Sequence, residues 1–503
     1  MHALLLVAAI LAQAGLHPGN AAYDTRSLAF KGRLQEMMFR DLDKDGLYDI
    51  IITHIGNYGT TPLRHLSIWF QRPDIGFGKD PDQTITLPKE ATALALGDYA
   101  PEPGVEILYF TADGVWYMPL VGRKLDVHAK RLFLLPTFFD EPQDDSLQWW
   151  SYPQDVDGNG LDDLIVPTPD AYKLFFQTAP GTYGKVLTFR PRGTREADRD
   201  VAGPLKGYLS FRKTLPRMLV KDFDGAPGVG PDLICQVDGR FQFFLQDLDH
   251  EFPREPSGEF DLSFWKMERK KNSVESYTML FEDLDGNGSL DMVVSYTEGE
   301  IGLFESISTR ILVYMGQFGK PYRPQPQQQI LIKGISISPM LADVDGDGKL
   351  DLVVSSFRTD LMQGLRKMLL DNFQITYYVY EWDPNRGRFR ESPDLTEDIT
   401  VDTKLIEKGS SGVPLVRFDG DFDGDGRRDM LVVEEGLDNQ SRLKVQRGQA
   451  HAGPLGKEFS VDEYVLRSVE PPKGIDLIDL NGDGRTDFVL RYNGRLEVNT
   501  SRK

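Results

Sequence analysis

One cysteine in 503 residues, Cys235, allows no internal disulfide, so sulfur bridges cannot hold this chain together. Basic residues are short as well. Lys and Arg number 57 against 77 Asp and Glu, a net charge of −20 that leaves no basic face for nucleic-acid phosphates. Beyond the N-terminus no apolar run approaches the ~20 residues that span a bilayer. The seven histidines (His2, His17, His54, His65, His128, His250 and His451) fall into no zinc-ligand spacing, and neither a G-x-S-x-G nor a Walker sequence occurs, so no catalytic residue is nominated. The length would suit about three domains, yet no Pro/Ser-rich linker or charge block divides the chain.

What the chain has in excess is aspartate at alternate positions. LADVDGDGKLDLVVSS (341–356) places Asp343, Asp345, Asp347 and Asp351 at offsets 0, 2, 4 and 8, with Gly348 at offset 5. Four carboxylates in one tight turn repel each other unless a hard cation accepts an oxygen from each. The same offsets return five more times: Asp41, Asp43, Asp45 and Asp49; Asp155, Asp157, Asn159 and Asp163; Asp283, Asp285, Asn287 and Asp291; Asp421, Asp423, Asp425 and Asp429; Asp479, Asn481, Asp483 and Asp487. Every copy keeps glycine at offset 5. Two degraded copies fit between them. One starts at Asp98, with Ala100 at offset 2 and Glu102 and Glu106 at offsets 4 and 8. The other runs Asp222, Asp224 and a closing Asp232 displaced by two residues. These two are expected to be weak or empty.

An EF-hand opens the same way but needs a Glu at loop position 12 and flanking helices. Position 12 here is Ile52, Val166, Val294, Val354, Val432 or Leu490, and each loop runs into a short β-branched run such as DLIVP or DMVVS, which signals a strand. Calcium is the expected ion, about six per chain. External calcium modules work at ~0.1–1 mM, whereas magnesium demands stricter octahedral geometry. The loops with four aspartates (41, 343, 421) are expected to bind more tightly than those carrying Asn.

These loops, with pieces such as IWFQRPDIGFG and LFFQTAPGTYG, resemble the FG-GAP or VCBS repeat, the calcium-loop blade of integrin alpha-subunit propellers. The resemblance implies an all-β, four-stranded-blade β-propeller. The eight loop starts lie 57 to 78 residues apart, a period that marks a repeat array. Eight blades are expected, or seven if the unit around Asp98 is an insertion. Too little chain follows the last loop to finish a blade, so the segment 26–32 is expected to supply the missing strand and close the ring.

Residues 1–22 read as a secretory signal with an Ala12-Gln13-Ala14 cleavage site, although no Lys or Arg precedes its apolar core, and 23–503 as one propeller domain. A disulfide-free exported protein suggests a bacterial source and a periplasmic, surface or secreted location. Insertions at 54–67, 296–310 and 355–373 fall on the face opposite the acidic loops, the last with helical spacing at Leu361, Leu365, Met368 and Leu369. The basic segment 190–213 offers an acidic polysaccharide or protein a local partner. The expected function is a monomeric, non-catalytic binding, adhesion or scaffold module for a protein or glycan on that opposite face. The alternatives are a polysaccharide lyase, since some eight-bladed calcium propellers act on rhamnogalacturonan, and a lectin.

Overall fold

The computed structural model describes residues 23–58, 61–102, 104–139, 147–150, 153–199, 209–214, 216–237, 239–262, 273–300, 307–320, 322–336, 339–357, 372–402, 415–435, 440–448 and 459–502. The helical spacing at 361–369 lies outside them, as do residues 1–22. Among the described residues there is no helix, and none is long and apolar enough to cross a membrane.

The strands form an eight-bladed β-propeller of antiparallel, mainly four-stranded sheets. Blade 1 runs Arg33–Arg40, Asp49–Tyr58, Thr61–Trp69 and Gln83–Thr86. Blades 3 to 7 repeat this order, their second strands being Asp163–Pro167, Asp232–Val237, Asp291–Glu300, Asp351–Phe357 and Asp429–Glu435. The unit around Asp98 is a full blade and not an insertion, which settles the count at eight. Its strands are Ala93–Gly97, Glu106–Thr111, Gly114–Met118 and Lys130–Leu134, with Gln148–Trp149 added in parallel to the first. In every blade the acidic loop joins strands one and two, so all eight loops take one face.

Blade 8 is assembled from both ends of the chain. Gly474–Ile478, Asp487–Tyr492 and Arg495–Ser501 take Tyr23–Ala29 as their fourth strand, in register from Tyr23 opposite Ser501 to Ala29 opposite Arg495. The closing strand therefore lies three residues earlier than 26–32. Phe30 to Gly32 form the turn into blade 1, and Gly32 takes a left-handed φ of 107° where an added Cβ would collide with the Ile55 carbonyl.

The burial pattern explains the sequence pattern. Second strands are sandwiched between neighbouring blades, so Glu106–Thr111 and Asp163–Pro167 are buried throughout and read as continuous apolar runs. Outer strands have one wet face, and Gln328–Lys333 alternates buried and exposed. Eight apolar clusters fill eight seams. Ile51 and Ile68 meet Leu94 and Ile107 between blades 1 and 2, and the ring ends where Leu28, Val489 and Val498 of blade 8 meet Ile50, Ile52 and Trp69 of blade 1. Cys235 is buried in the seam of blades 3 and 4, where burial pushes its thiol up, as befits a small apolar residue. Trp149 and Trp150 also pack against seam clusters, and Trp150 donates its indole N–H to the Ile165 carbonyl at 2.7 Å.

The described residues of the insertions at 54–67 and 296–310 prolong strands two and three on the face away from the loops, where Asp49–Tyr58 and Asp291–Glu300 each run ten residues. In the basic segment, Thr194–Arg199 pairs with Leu209–Thr214 as a separate ribbon. Arg190 and Arg192 there face the chain's own Asp170 and Glu259.

Candidate metal sites

Each acidic loop is fastened to the propeller at two points. The residue at offset 1 is apolar and drops into the seam: Leu42, Val156, Phe223, Leu284, Val344, Phe422 and Leu480 are all buried, and Tyr99 fills the place in blade 2. The carboxylate at offset 8 then accepts two backbone hydrogen bonds. One comes from the N–H of that plug residue, as from Leu42 to Asp49, Val156 to Asp163 and Phe223 to Asp232, all at 2.9 Å. The other comes from the end of strand three or just past it. The donors are Gln71 to Asp49, Gln177 to Asp163, Gln246 to Asp232, Gly316 to Asp291, Trp382 to Asp351, Gly448 to Asp429 and Ser501 to Asp487, at 2.6–3.1 Å. The two-residue displacement in blade 4 leaves this clasp intact. Glu106 does part of the same in blade 2, accepting from Tyr99 and Ala100.

Opposite the clasp, the offset-0 aspartate curls the loop by accepting N–H groups at offsets 4 and 5, as Asp155 does from Asn159 and Gly160. The glycine at offset 5 makes the bend in the left-handed region, with φ of 81–88° in all six intact copies. The Asn residues tie the loop down: Asn159 Nδ2 donates to the Gln177 carbonyl and Asn481 Nδ2 to the Ser501 carbonyl.

The folded loops bring carboxylates together. One oxygen from each of Asp41, Asp43 and Asp45 lies within 4.8 Å of the others, and the same holds for Asp155, Asp157 and Asp163, for Asp222, Asp224 and Asp232, for Asp283, Asp285 and Asp291, and for Asp343, Asp345 and Asp347. The loop at Asp222 thus converges like the intact ones. Burial pushes the closing carboxyls far up, to about 7 for Asp49, Asp163, Asp291 and Asp351 and to about 6 for Asp232, Asp429 and Asp487. The two backbone donors oppose the shift and, in most loops, the neighbouring aspartates add to it. An all-oxygen donor set that is both crowded and part-desolvated fits a hard divalent cation.

Side-chain cations reach some of these acids, which spacing alone did not reveal. Arg123, from a hairpin of blade 2, donates Nε to Asp43 at 2.6 Å and Nη2 to Asp45 at 2.8 Å. Arg447 approaches Asp423 at 3.3 Å, and Arg427 pairs with Asp425. In the degraded loop Lys44 holds Asp98 at 2.7 Å and Lys130 pairs with Glu102. Also missed was the glutamine after strand three. Gln71, Gln177 and Gln246 donate Nε2 to main-chain carbonyls of the preceding blade's loop, namely Leu480, Asp98 and Val156. Its sequence signal was visible as a two-residue apolar or aromatic end to strand three followed by Gln, in WFQ, FFQ and FLQ.

No curated protein matches the chain. Among solved structures it is similar to an Agrocybe aegerita lectin described as recognising non-reducing terminal N-acetylglucosamine, with 13% identity over 89% of this chain and 90% of that one and a TM-score of 0.42. It is also similar to Sqt1 of Chaetomium thermophilum, with 10% identity, 95% and 100% coverage and a TM-score of 0.43, and to the V. cholerae biofilm matrix protein Bap1, with 13%, 93% and 77%, and 0.27. The model of the FG-GAP-like repeat matches residues 283–354 and 421–496, which hold four of the intact acidic loops. FG-GAP-like repeats therefore make up part of this chain, which is built as an eight-bladed β-propeller.

Proposed function

We propose that this propeller is an exported, calcium-stapled binding module that engages a protein or glycan and carries out no chemistry of its own. The observation that carries the reading is the recurrence of one carboxylate cluster on one face, five times with the same convergence of oxygens. The side chains at offsets 0, 2, 4 and 8 would hold the ions, including Asp222, Asp224 and Asp232. A bound divalent charge would offset the repulsion and burial that push the closing carboxyls up. With one face given over to these loops, the ends of the long strands Asp49–Tyr58, Thr61–Trp69, Asp291–Glu300 and Ser308–Tyr314 stand on the other, where a partner has paired strands to meet. An exported chain would meet extracellular calcium at the level that keeps such sites filled.

The test is thermal unfolding of the chain lacking residues 1–14, in calcium and in EGTA, with bound metal counted by mass spectrometry. About six calcium ions per chain and a large fall in Tm on chelation are expected. Little bound calcium with identical melting in both buffers would reduce the acidic loops to turn chemistry.

A further inference from the structure

At the seam where the ring closes, on the acidic-loop face, a cavity of about 340 Å³ opens between the loops of blades 8 and 1. Its walls include Arg26 of the closing strand, Gln71 and Arg72 of blade 1, Phe77, and Asn481 and Thr500 of blade 8. The volume is at the lower end of the range for ligand sites, roughly 300–1,000 Å³.

The repeat supplies an internal control for what this cavity lacks. Gln71, Gln177 and Gln246 do the same work in blades 1, 3 and 4, and in each the amide nitrogen must face a carbonyl that can only accept. The oxygen of Gln177 then accepts from the Gly181 N–H at 2.5 Å, and that of Gln246 meets His250 Nδ1 at 3.2 Å. Gln71 is 5% exposed, and its Oε1 has no hydrogen-bond partner among the described residues. Blade 1 leaves a buried acceptor on a residue of the cavity wall, where blades 3 and 4 supply a donor. Such a group is satisfied by something that enters.

Charge narrows what that is. Arg72 is neutralised by Asp82. Arg26 makes no ion pair or hydrogen bond among the described residues, although the chain carries a net charge of −20. One free guanidinium suits a monoanion with a planar carboxylate better than a dianionic phosphate. The unpartnered oxygen asks for a hydroxyl donor, and Phe77 offers an apolar wall.

We propose that this cavity binds an acidic sugar unit of the hexuronate type, its carboxylate on Arg26 and a ring hydroxyl donating to Gln71 Oε1. The site deepens the binding-module reading, on which it rests, but sits on the acidic-loop face instead of the far one. It also explains why the closing strand carries an unpaired arginine beside a calcium-type loop.

The test is NMR titration of the full chain in calcium with methyl β-D-glucuronide, methyl β-D-glucoside and inorganic phosphate, repeated on Arg26→Gln. Arg26 is exposed, so the variant should melt like the wild type. The glucuronide should bind at least about tenfold more tightly than the glucoside or phosphate, and R26Q should abolish that preference. Equal binding of the two glycosides, tighter binding of phosphate, no binding at all, or a preference that survives R26Q would each overturn the site. Capture of a protein or neutral glycan equally by wild type and R26Q, with no glucuronide preference in either, would sink this site and leave the binding-module reading standing.

Discussion

Replacing the closing aspartate of one loop separates what the carboxylate does for the fold from what it does for an ion. Asp163 is fully buried and accepts the N–H groups of Val156 at 2.9 Å and Gln177 at 2.8 Å, both of those residues being buried too. Asp163→Ala leaves both donors without an acceptor. Each buried orphan costs about 1–3 kcal/mol, so the variant should lose roughly 2–6 kcal/mol. Asp163→Asn keeps one acceptor oxygen but turns its NH2 towards the second donor, a loss of about 1–3 kcal/mol. In metal-free buffer part of that is returned, because the native carboxyl is pushed up to about 7 by burial and by Asp157 and Asp155, and the amide carries no charge. Urea unfolding followed by tryptophan fluorescence, with Trp150 bonded to Ile165 in the same blade, reads both variants in EGTA and in calcium. In EGTA the order should be wild type, then Asn, then Ala, and calcium should raise the wild type more than either variant. An alanine variant whose midpoint in EGTA matches the wild type would refute the clasp. An asparagine variant that gains as much from calcium as the wild type would remove Asp163 from the ligand set.

Two further outcomes follow from the same geometry. Leu28 is wholly buried in the closing strand, so Leu28→Ala should cost about 2–5 kcal/mol and lower the urea midpoint, and an unchanged midpoint would mean that 23–29 does not close the ring. The pH response is set by the closing carboxyls, seven aspartates at about 6 to 7 in the fold against 3.8 and Glu106 at about 7 against 4.5. The metal-free fold therefore binds more protons than the unfolded chain, and this contribution is complete below about pH 4 and lost as pH rises to about 7. In EGTA the Tm at pH 5.5 should exceed that at pH 7.5, calcium should narrow or reverse the gap, and a metal-free Tm that climbs over this interval would contradict the assignment.

The features legible in the sequence are those that recur with fixed local spacing. Asp41 to Asp49 and its five sister loops, the glycine at offset 5, and the β-branched strands after each loop are local facts, and the period carried the blade count even through the degraded Asp98 unit. The shortfall after Asp487 announced that another segment must complete blade 8, but its register could not be read, because Tyr23–Ala29 is matched to Arg495–Ser501 across nearly the whole chain. The contacts that were missed are, apart from the local pair of Arg427 with Asp425, of this longer-range kind. Arg123 reaches Asp43 from 80 residues away, and Gln71 reaches Leu480 from 409. No spacing rule relates such pairs until the ring is formed. The plug at offset 1 was in plain view, since DLD, DVD and DFD never carry a polar residue there, but only the seams show why.

Blade 2 shows which parts of the loop belong to the fold and which to the ion. Its offset-2 acid has become Ala100, and ammonium groups meet its outer acids, Lys44 on Asp98 and Lys130 on Glu102. Glu106 nevertheless stays buried and keeps its backbone donors. Lys44 stands where the other five intact loops have glycine, with a left-handed φ of 57°, at a cost of about 1–2 kcal/mol for an L-residue. Its pair with Asp98 is largely exposed and returns about 0–1 kcal/mol at most. Stability alone therefore does not account for a lysine there, and placing a positive charge over a loop that has lost a ligand does. The full clasp is present in seven blades and part of it in blade 2, while the outer acids vary. The closing carboxylate is thus a determinant of the propeller, and the three outer positions are the ones at which the loops differ.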